Sequence, residues 1–337
     1  MSISILFAGR NNLLIALTGW SQTTFLTLHR WTARVATVQA VVHSIAYTLA
    51  YFEPGYEGAS AYAAKAAEPF YWWGIIATIA LSLAVAFAVL PLRVCVYESF
   101  LILHIALVIL ALVGCWYHLV PHFGFEYGYQ VWLYICFAFW SADRLARILR
   151  IAYYNRPGGS RALVQAVPGC DAIMQVTVFP RVAWGFGPAQ HSFLYLPRLG
   201  WFKFWESHPF SVAGGITSAL QRRLQSSPSG TLELSVYTEG PYAGHRATLN
   251  PLFTADTVLC IAGFIGITHV LGVVQAYQSQ VAGGGKAGEE DDKTASRSAM
   301  RAKRFVLAWS AREWALLEHV QREFLNQAAG DGVECLF

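Results

Sequence analysis

Charged side chains are scarce in this chain of 337 residues: Asp, Glu, Lys and Arg make up 13% of it, against 55% hydrophobic residues. With a mean hydropathy of +0.40, it exceeds what a soluble domain needs, which points to a membrane setting. Cysteine is sparse and unpatterned. The six cysteines, at 95, 115, 136, 170, 260 and 335, form no CxxC and no Cys/His metal spacing, which argues against structural zinc and a disulfide framework. Three of them fall in apolar spans as small packing residues. The formal charge is only +4, and basic and aromatic residues do not interleave, so no nucleic-acid partner is expected. A convincing secretory signal is also missing, since the apolar start at residues 1–8 is too short for one.

What the sequence does contain is four apolar spans, at residues 24–50, 70–90, 94–119 and 129–149. Each is near the roughly twenty residues needed to cross hydrocarbon, so membrane lipid is an expected partner. Arg10, Arg30 and Arg34 sit before or early in the first span, Arg93 lies between the second and third, and Arg144, Arg147 and Arg150 close the fourth. The loops at 51–69 and 120–128 hold one lysine and several glutamates. The positive-inside rule then places the arginine-rich ends, and everything beyond residue 150, in the cytoplasm. The expected location is a membrane, with plasma and vacuolar membrane both compatible with the sequence.

Two histidine pairs lie inside these spans. His29 and His43 are fourteen residues apart, and so are His104 and His118. That interval is just under four turns, so both imidazoles of a pair leave nearly the same helix face about 21 Å apart along the axis. A lone histidine in such a helix is as readily a hydrogen-bonded residue facing a neighbour. The same spacing twice, in helices running the same way, favours paired ligands. Level pairing joins His29 with His104 in an inner site and His43 with His118 in an outer one. Two stacked haems would use all four, and bis-histidine iron has no open position, which suits electron transfer. His122, four residues beyond His118 and just after Pro121, reads as an exposed loop histidine within reach of an external metal substrate. The run Phe70, Tyr71, Trp72, Trp73 reads as an interfacial aromatic belt.

Beyond residue 160 the pattern changes to short strand-like runs, such as 173–179 and 232–237, broken by Gly and Pro turns. A small β-rich domain is expected. An apolar strand at 257–262 then runs into Gly263, Phe264, Ile265, Gly266, Ile267 and Thr268, followed by a helical stretch to about residue 280. Strand, glycine turn and helix N-terminus together make a phosphate site, because unpaired backbone amides point at the anion. Two glycines after a strand also occur in many ordinary turns. Residues 282–298 read as a disordered loop. A strand at 305–309 and an amphipathic helix at 313–327 restore the alternation of a parallel α/β sheet.

Several short motifs recur in a recognisable order. They are Gly9 to Asn12, Leu17 to Trp20, His29 to Trp31, His43 to Tyr47, the second histidine pair, Gln190 with Phe193 to Pro197, and His208, Pro209, Phe210, Ser211. Then come Glu239 to Tyr242, the Gly263 to Thr268 turn, and Trp309 with Arg312. In this order they resemble the fungal ferric reductase transmembrane family, a branch of the superfamily that includes the NADPH oxidases. By itself, HPFS would read only as a turn. The resemblance makes it the flavin motif.

The resemblance implies a membrane α-helical bundle followed by a cytoplasmic β-barrel flavin domain and an α/β nucleotide-binding lobe of the ferredoxin reductase type, both incomplete. The implied division is a bis-haem domain at 1–150, an FAD-binding barrel at 151–250 and a partial NADPH-binding domain at 251–337. The implied cofactors are two b-type haems, FAD and NADPH. The haem ligands are then His29 and His104, His43 and His118. FAD is held by His208, Pro209, Phe210, Ser211 and Thr217, and NADPH by Gly263, Gly266, Thr268, Trp309 and Arg312. The implied activity is transmembrane electron transfer from NADPH through FAD and the haems to an extracytoplasmic ferric or cupric chelate. Superoxide production by an NADPH oxidase, and a catalytically impaired membrane or interaction protein, are the alternatives.

The chain also departs from the family. It reads as truncated at both ends, lacking helices before Gly9 and a later Cys-Gly-Pro motif for which Cys335 does not substitute, so a partner chain supplying helices is an open possibility. The lead-in to Thr217 is shortened, Ala243 replaces a glycine, and GFIGIT stands where a GGSGIT-like turn is usual. Phe264 and Ile265 are expected to crowd a backbone meant to touch phosphate.

Overall fold

The computed structural model describes residues 1–55, 57–156, 158–182, 190–197, 207–211, 230–242, 252–284, 302–325 and 332–337. The chain divides into two compact units, residues 1–12 with 22–145, and residues 13–21 with 146–337. In chain order the first eight helices are α1 (Ser2–Ala8), α2 (Leu13–Thr18), α3 (Gln22–Ala50), α4 (Ala59–Ala66), α5 (Pro69–Ala86), α6 (Leu90–Cys95), α7 (Tyr97–Phe123) and α8 (Gln130–Asn155).

The first unit is helical. Each of the four expected spans falls on one long helix, and two of these, α5 and α7, are both long and apolar enough to cross a membrane. Helices α3 and α8, with 29 and 26 residues, extend about 43 and 39 Å at 1.5 Å per residue. Threonine is tolerated in α3 because its hydroxyls bond back to the helix. Thr27, Thr32, Thr37 and Thr48 each donate to the carbonyl four residues earlier, at 2.9–3.0 Å, so none presents an unmet donor to hydrocarbon. Pro69 opens α5 at its first turn, where the missing N–H costs nothing. Helices α5 and α7 approach through Gly114: a Cβ there would stand 2.9 Å from the Ala77 Cβ and 2.9 Å from the Trp73 carbonyl oxygen. Small residues at the contact let apolar helices pack by close backbone approach. Ala80, Leu81 and Ala111 form one buried cluster, and Leu112, Leu133 and Cys136 another.

The second unit holds an antiparallel sheet of β1 (Ser160–Val167), β2 (Cys170–Phe179), β3 (His191–Tyr195), β4 (Ser207–Ser211) and β5 (Thr231–Tyr242), in the order β2-β1-β5-β3-β4. Strand β5 is shared. Its residues 231–236 pair with β1 and residues 237–242 pair with β3, so the sheet curls around it. Alternation of buried and exposed residues in β1 and β5 sends Ala162, Val164, Leu234 and Val236 into one core with Met174 and Leu196. Taken alone, HPFS reads as a turn, but it belongs to strand β4. Pairing with β3, from Tyr195 opposite Ser207 to His191 opposite Ser211, overrides the local effect of Pro209. A proline is admissible there because β4 is the edge strand among the described residues.

The same unit contains a parallel sheet of β6 (Thr257–Gly263), β7 (Arg304–Ser310) and β8 (Val333–Leu336), in that order. Helix α9 (Ile267–Gly284) follows β6, and α10 (Trp314–Val320), continued by a π-turn at Gln321–Leu325, follows β7. This is the alternation expected from the sequence. The core is centred on Phe305 and Leu307, both 0% exposed, with Val258, Val274 and Trp309 packed about them. Of the segment 282–298, residues 285–298 lie outside the described residues, as does Thr217.

Candidate functional site

Helices α3 and α7 present their histidines level with each other. The His29 and His104 ring centres are 6.3 Å apart with planes at 79°, and those of His43 and His118 are 6.5 Å apart at 85°. The spacing has a direct chemical meaning. A metal with an imidazole nitrogen on each side at about 2.0 Å, and each ring centre roughly 1.1–1.2 Å behind its nitrogen, sets the centres about 6.2–6.4 Å apart. Two imidazoles in mutual van der Waals or hydrogen-bonded contact have no need of that gap twice.

The outward ring nitrogens are already engaged. His29 Nδ1 lies 2.8 Å from the Ser4 carbonyl oxygen, His104 Nδ1 3.2 Å from that of Ala84, and His118 Nδ1 2.8 Å from that of Phe70. A carbonyl accepts only, so in each ring Nδ1 is the donor and Nε2 is the nitrogen left for a second partner. That is the tautomer a metal ligand requires, fixed by its outer partner. His43 packs instead against the Tyr47 ring at 4.5 Å. Room for His118 comes from Gly74, where a Cβ would stand 2.6 Å from the His118 Nδ1. Among the described residues, no group of three or more His, Cys, Asp or Glu could hold a metal ion.

His122 is not in a loop. It occupies the last turn of α7, which continues past Pro121 and closes with the Gly124 N–H on the Val120 carbonyl at 3.0 Å. Its ring stacks on Phe70 at 3.6 Å and 7°, and the same Phe70 ring stacks on His118 at 5.8 Å and 25°. Lys65 Nζ lies 4.9 Å over that ring while paired with Glu68 at 2.9 Å. The aromatic run thus does more than line an interface, since Phe70 bridges two histidines.

In the second unit, His208 to Ser211 form an edge strand, with one row of backbone groups facing away from β3. Gly263 ends β6, Gly266 closes a short 3-10 turn, and Thr268 lies in the first turn of α9. Among the described residues, no atom outside the chain neighbours lies within 4 Å of where a Cβ on either glycine would be. Phe264 takes a left-handed φ of 47°, and its carbonyl accepts the Trp309 indole N–H at 2.9 Å. Trp309 is therefore a buried prop of the turn, whereas Arg312 is exposed. The sequence reading named Glu239 in a motif and Arg147 as a topological charge but missed that they pair, at 3.0 Å with the glutamate 0% exposed.

The chain thus combines a helical unit that carries two level histidine pairs with an antiparallel sheet and a parallel α/β lobe. Residues 1–115 match the family model described as ferric reductase like transmembrane component, and the chain resembles the ferric reductase transmembrane components of yeasts, which makes it an integral membrane protein. His29, His43 and His104 fall inside that match and His118 lies just beyond it. The chain is 33% identical over 279 residues to ferric reductase transmembrane component 3 of Saccharomyces cerevisiae, covering 78% of this chain and 36% of the relative. It is 31% identical over 255 residues to ferric/cupric reductase transmembrane component 1 of Candida albicans, covering 71% and 31%. The chain thus spans about a third of the length of these curated relatives. A flavohemoglobin from Malassezia yamatoensis, solved with FAD and heme, gives a TM-score of 0.38 at 15% identity over 83% of this chain and 71% of its own, a likeness too slight to bear on fold or function.

Proposed function

We propose that this chain transfers electrons from cytoplasmic NADPH across the membrane to an extracytoplasmic ferric or cupric chelate, as a ferric-chelate reductase of the plasma membrane. The observation that carries the reading is the two level imidazole pairs, 6.3 and 6.5 Å between ring centres. His29 and His104 hold the inner b-type haem and His43 and His118 the outer one. Iron with imidazole on both faces supplies one-electron transfer with no open coordination position, while FAD accepts electrons in a pair and releases them singly. The Ser4, Ala84 and Phe70 carbonyls keep three of the rings oriented through Nδ1, which would leave Nε2 to hold iron.

On the cytoplasmic side, FAD is assigned to His208, Pro209, Phe210, Ser211 and Thr217, supported by the place of β4 as the edge strand among the described residues. NADPH is assigned to Gly263, Gly266, Thr268, Trp309 and Arg312. The strand, glycine turn and N-terminus of α9 support a phosphate contact there, because the first amides of a helix lack intrahelical acceptors. Outside, His122 stacked on Phe70 lies next to the outer pair, placed to meet a metal chelate.

Absorption spectra of the purified protein, oxidised and dithionite-reduced, with haem and flavin quantified, test the reading. Two haems per chain are expected in the wild type and one in His118→Ala, with flavin content equal in both. Full retention of both haems in His118→Ala would refute the ligand assignment. Superoxide formation without chelate reduction would move the substrate from metal to oxygen.

A further inference from the structure

The last turns of α8, residues 146–155, are fastened to the antiparallel sheet by a buried acid that electron transfer as described does not use. Glu239 accepts hydrogen bonds from Arg147 Nε at 3.0 Å and Nη2 at 3.3 Å, and from the hydroxyls of Tyr195 and Tyr242. Arg147 Nη2 also donates to the Tyr195 hydroxyl oxygen at 2.8 Å. One turn on, Arg150 donates to the Pro241 carbonyl at 3.1 Å and lies 5.2 Å over the Tyr242 ring. Asn155 completes the grip: its Nδ2 donates to the Thr238 carbonyl at 2.8 Å and its Oδ1 accepts the Thr238 N–H at 2.8 Å. Arginines that the sequence explains by membrane topology are thus docked on β5.

A buried ion pair is a poor source of stability, because desolvation consumes most of the Coulomb gain and a packed apolar pair holds as well. What it supplies is geometry. The planar guanidinium meets the carboxylate at two points, which fixes angle as well as distance. The rows of the sheet show what is being fixed. Glu239 lies opposite Phe193 and Phe193 opposite Pro209, while Tyr242 lies opposite His191 and His191 opposite Ser211. The His191 ring stacks on Tyr242 at 5.7 Å and 25°. Gly240, between the acid and the stacked tyrosine, has φ +155°, and a Cβ there would meet the Ser192 Cβ at 3.0 Å, so β3 and β5 close tightly at this point.

We propose that Glu239, with Arg147, Tyr195 and Tyr242, is a positioning residue that fixes the flavin strand β4 to the end of α8 and thereby sets the rate at which electrons leave the flavin. The inference rests on the assignment of FAD to β4. Transfer between held groups depends steeply on their separation and orientation, so a looser clamp slows that step and leaves haem ligation and flavin potential alone.

The test uses purified full-chain holoprotein in which bound flavin is photoreduced by an external deazaflavin donor while haem absorbance is followed. Glu239→Gln and Arg147→Lys keep wild-type haem and flavin content and wild-type flavin potential, yet reduce haem at least about tenfold more slowly. Tyr242→Phe keeps the ring stack, removes one hydrogen bond to Glu239, and slows the step by about threefold. It serves where the charge variants fail to fold. Wild-type rates in these variants with flavin bound overturn the clamp. A wild-type protein that binds no flavin overturns the assignment of β4 itself.

Discussion

His118 shows how one side chain depends on a residue with no side chain at all. Its Nδ1 reaches the Phe70 carbonyl at 2.8 Å across the space above Gly74, where a Cβ would intrude to 2.6 Å. Gly74→Ala therefore pushes the ring off its carbonyl and away from His43. The expected outcome is loss of one of two haem waves in a redox titration, with the wave of the His29 and His104 site unchanged. Two intact waves would show that the ring has slack. The histidines themselves were legible from spacing alone, because a helix converts a fourteen-residue interval into two levels on one face. Gly74 was not legible, since nothing in the sequence tells which glycine of an apolar helix faces a ring from another helix. The pairing of Glu239 was hidden for a related reason: its partner Arg147 is 92 positions away and already had an explanation as a topological charge.

Among the elements, long helices and central strands were the readable ones. Periods of apolar residues over twenty positions survive any choice of window, so α3, α5, α7 and α8 follow from sequence to within a few residues. Strand β8, only four residues, is too short to carry a period and is held by pairing with β7. The HPFS segment shows tertiary pairing overruling a local turn signal. Helix α10 supports a pH prediction. His319 Nε2 lies 3.1 Å from Gln175 Oε1, and its Nδ1 is buried without a hydrogen-bond partner. Burial holds its pKa below the ordinary 6.5, against the opposing pull of Glu323. The folded state therefore binds the proton less readily than the unfolded chain, and stability is lost as pH falls from 6.5 through the lowered value. Unfolding of the wild type followed by tryptophan fluorescence should be flat in pH above that window and weaken below it. His319→Gln should remove that slope. An identical slope in the variant assigns the effect to other groups.

For the molecule as a whole, the order of parts was legible because each has a different period: near 3.6 in the helical unit, two in the antiparallel sheet, and strand-helix alternation after residue 257. What no single sequence shows is that the last turns of α8, residues 146–155, belong with the sheet. The angle between facing rings was equally invisible, and it has a physical consequence. At both levels the imidazole planes stand nearly at right angles, 79° and 85°. With ferric iron held between them as proposed, crossed planes would present similar π-donation along both in-plane directions, so its d orbitals would stay close in energy and orbital momentum would be poorly quenched. Frozen oxidised protein should then show steep low-field paramagnetic resonance features from both sites, whereas parallel rings would give a resolved rhombic triplet.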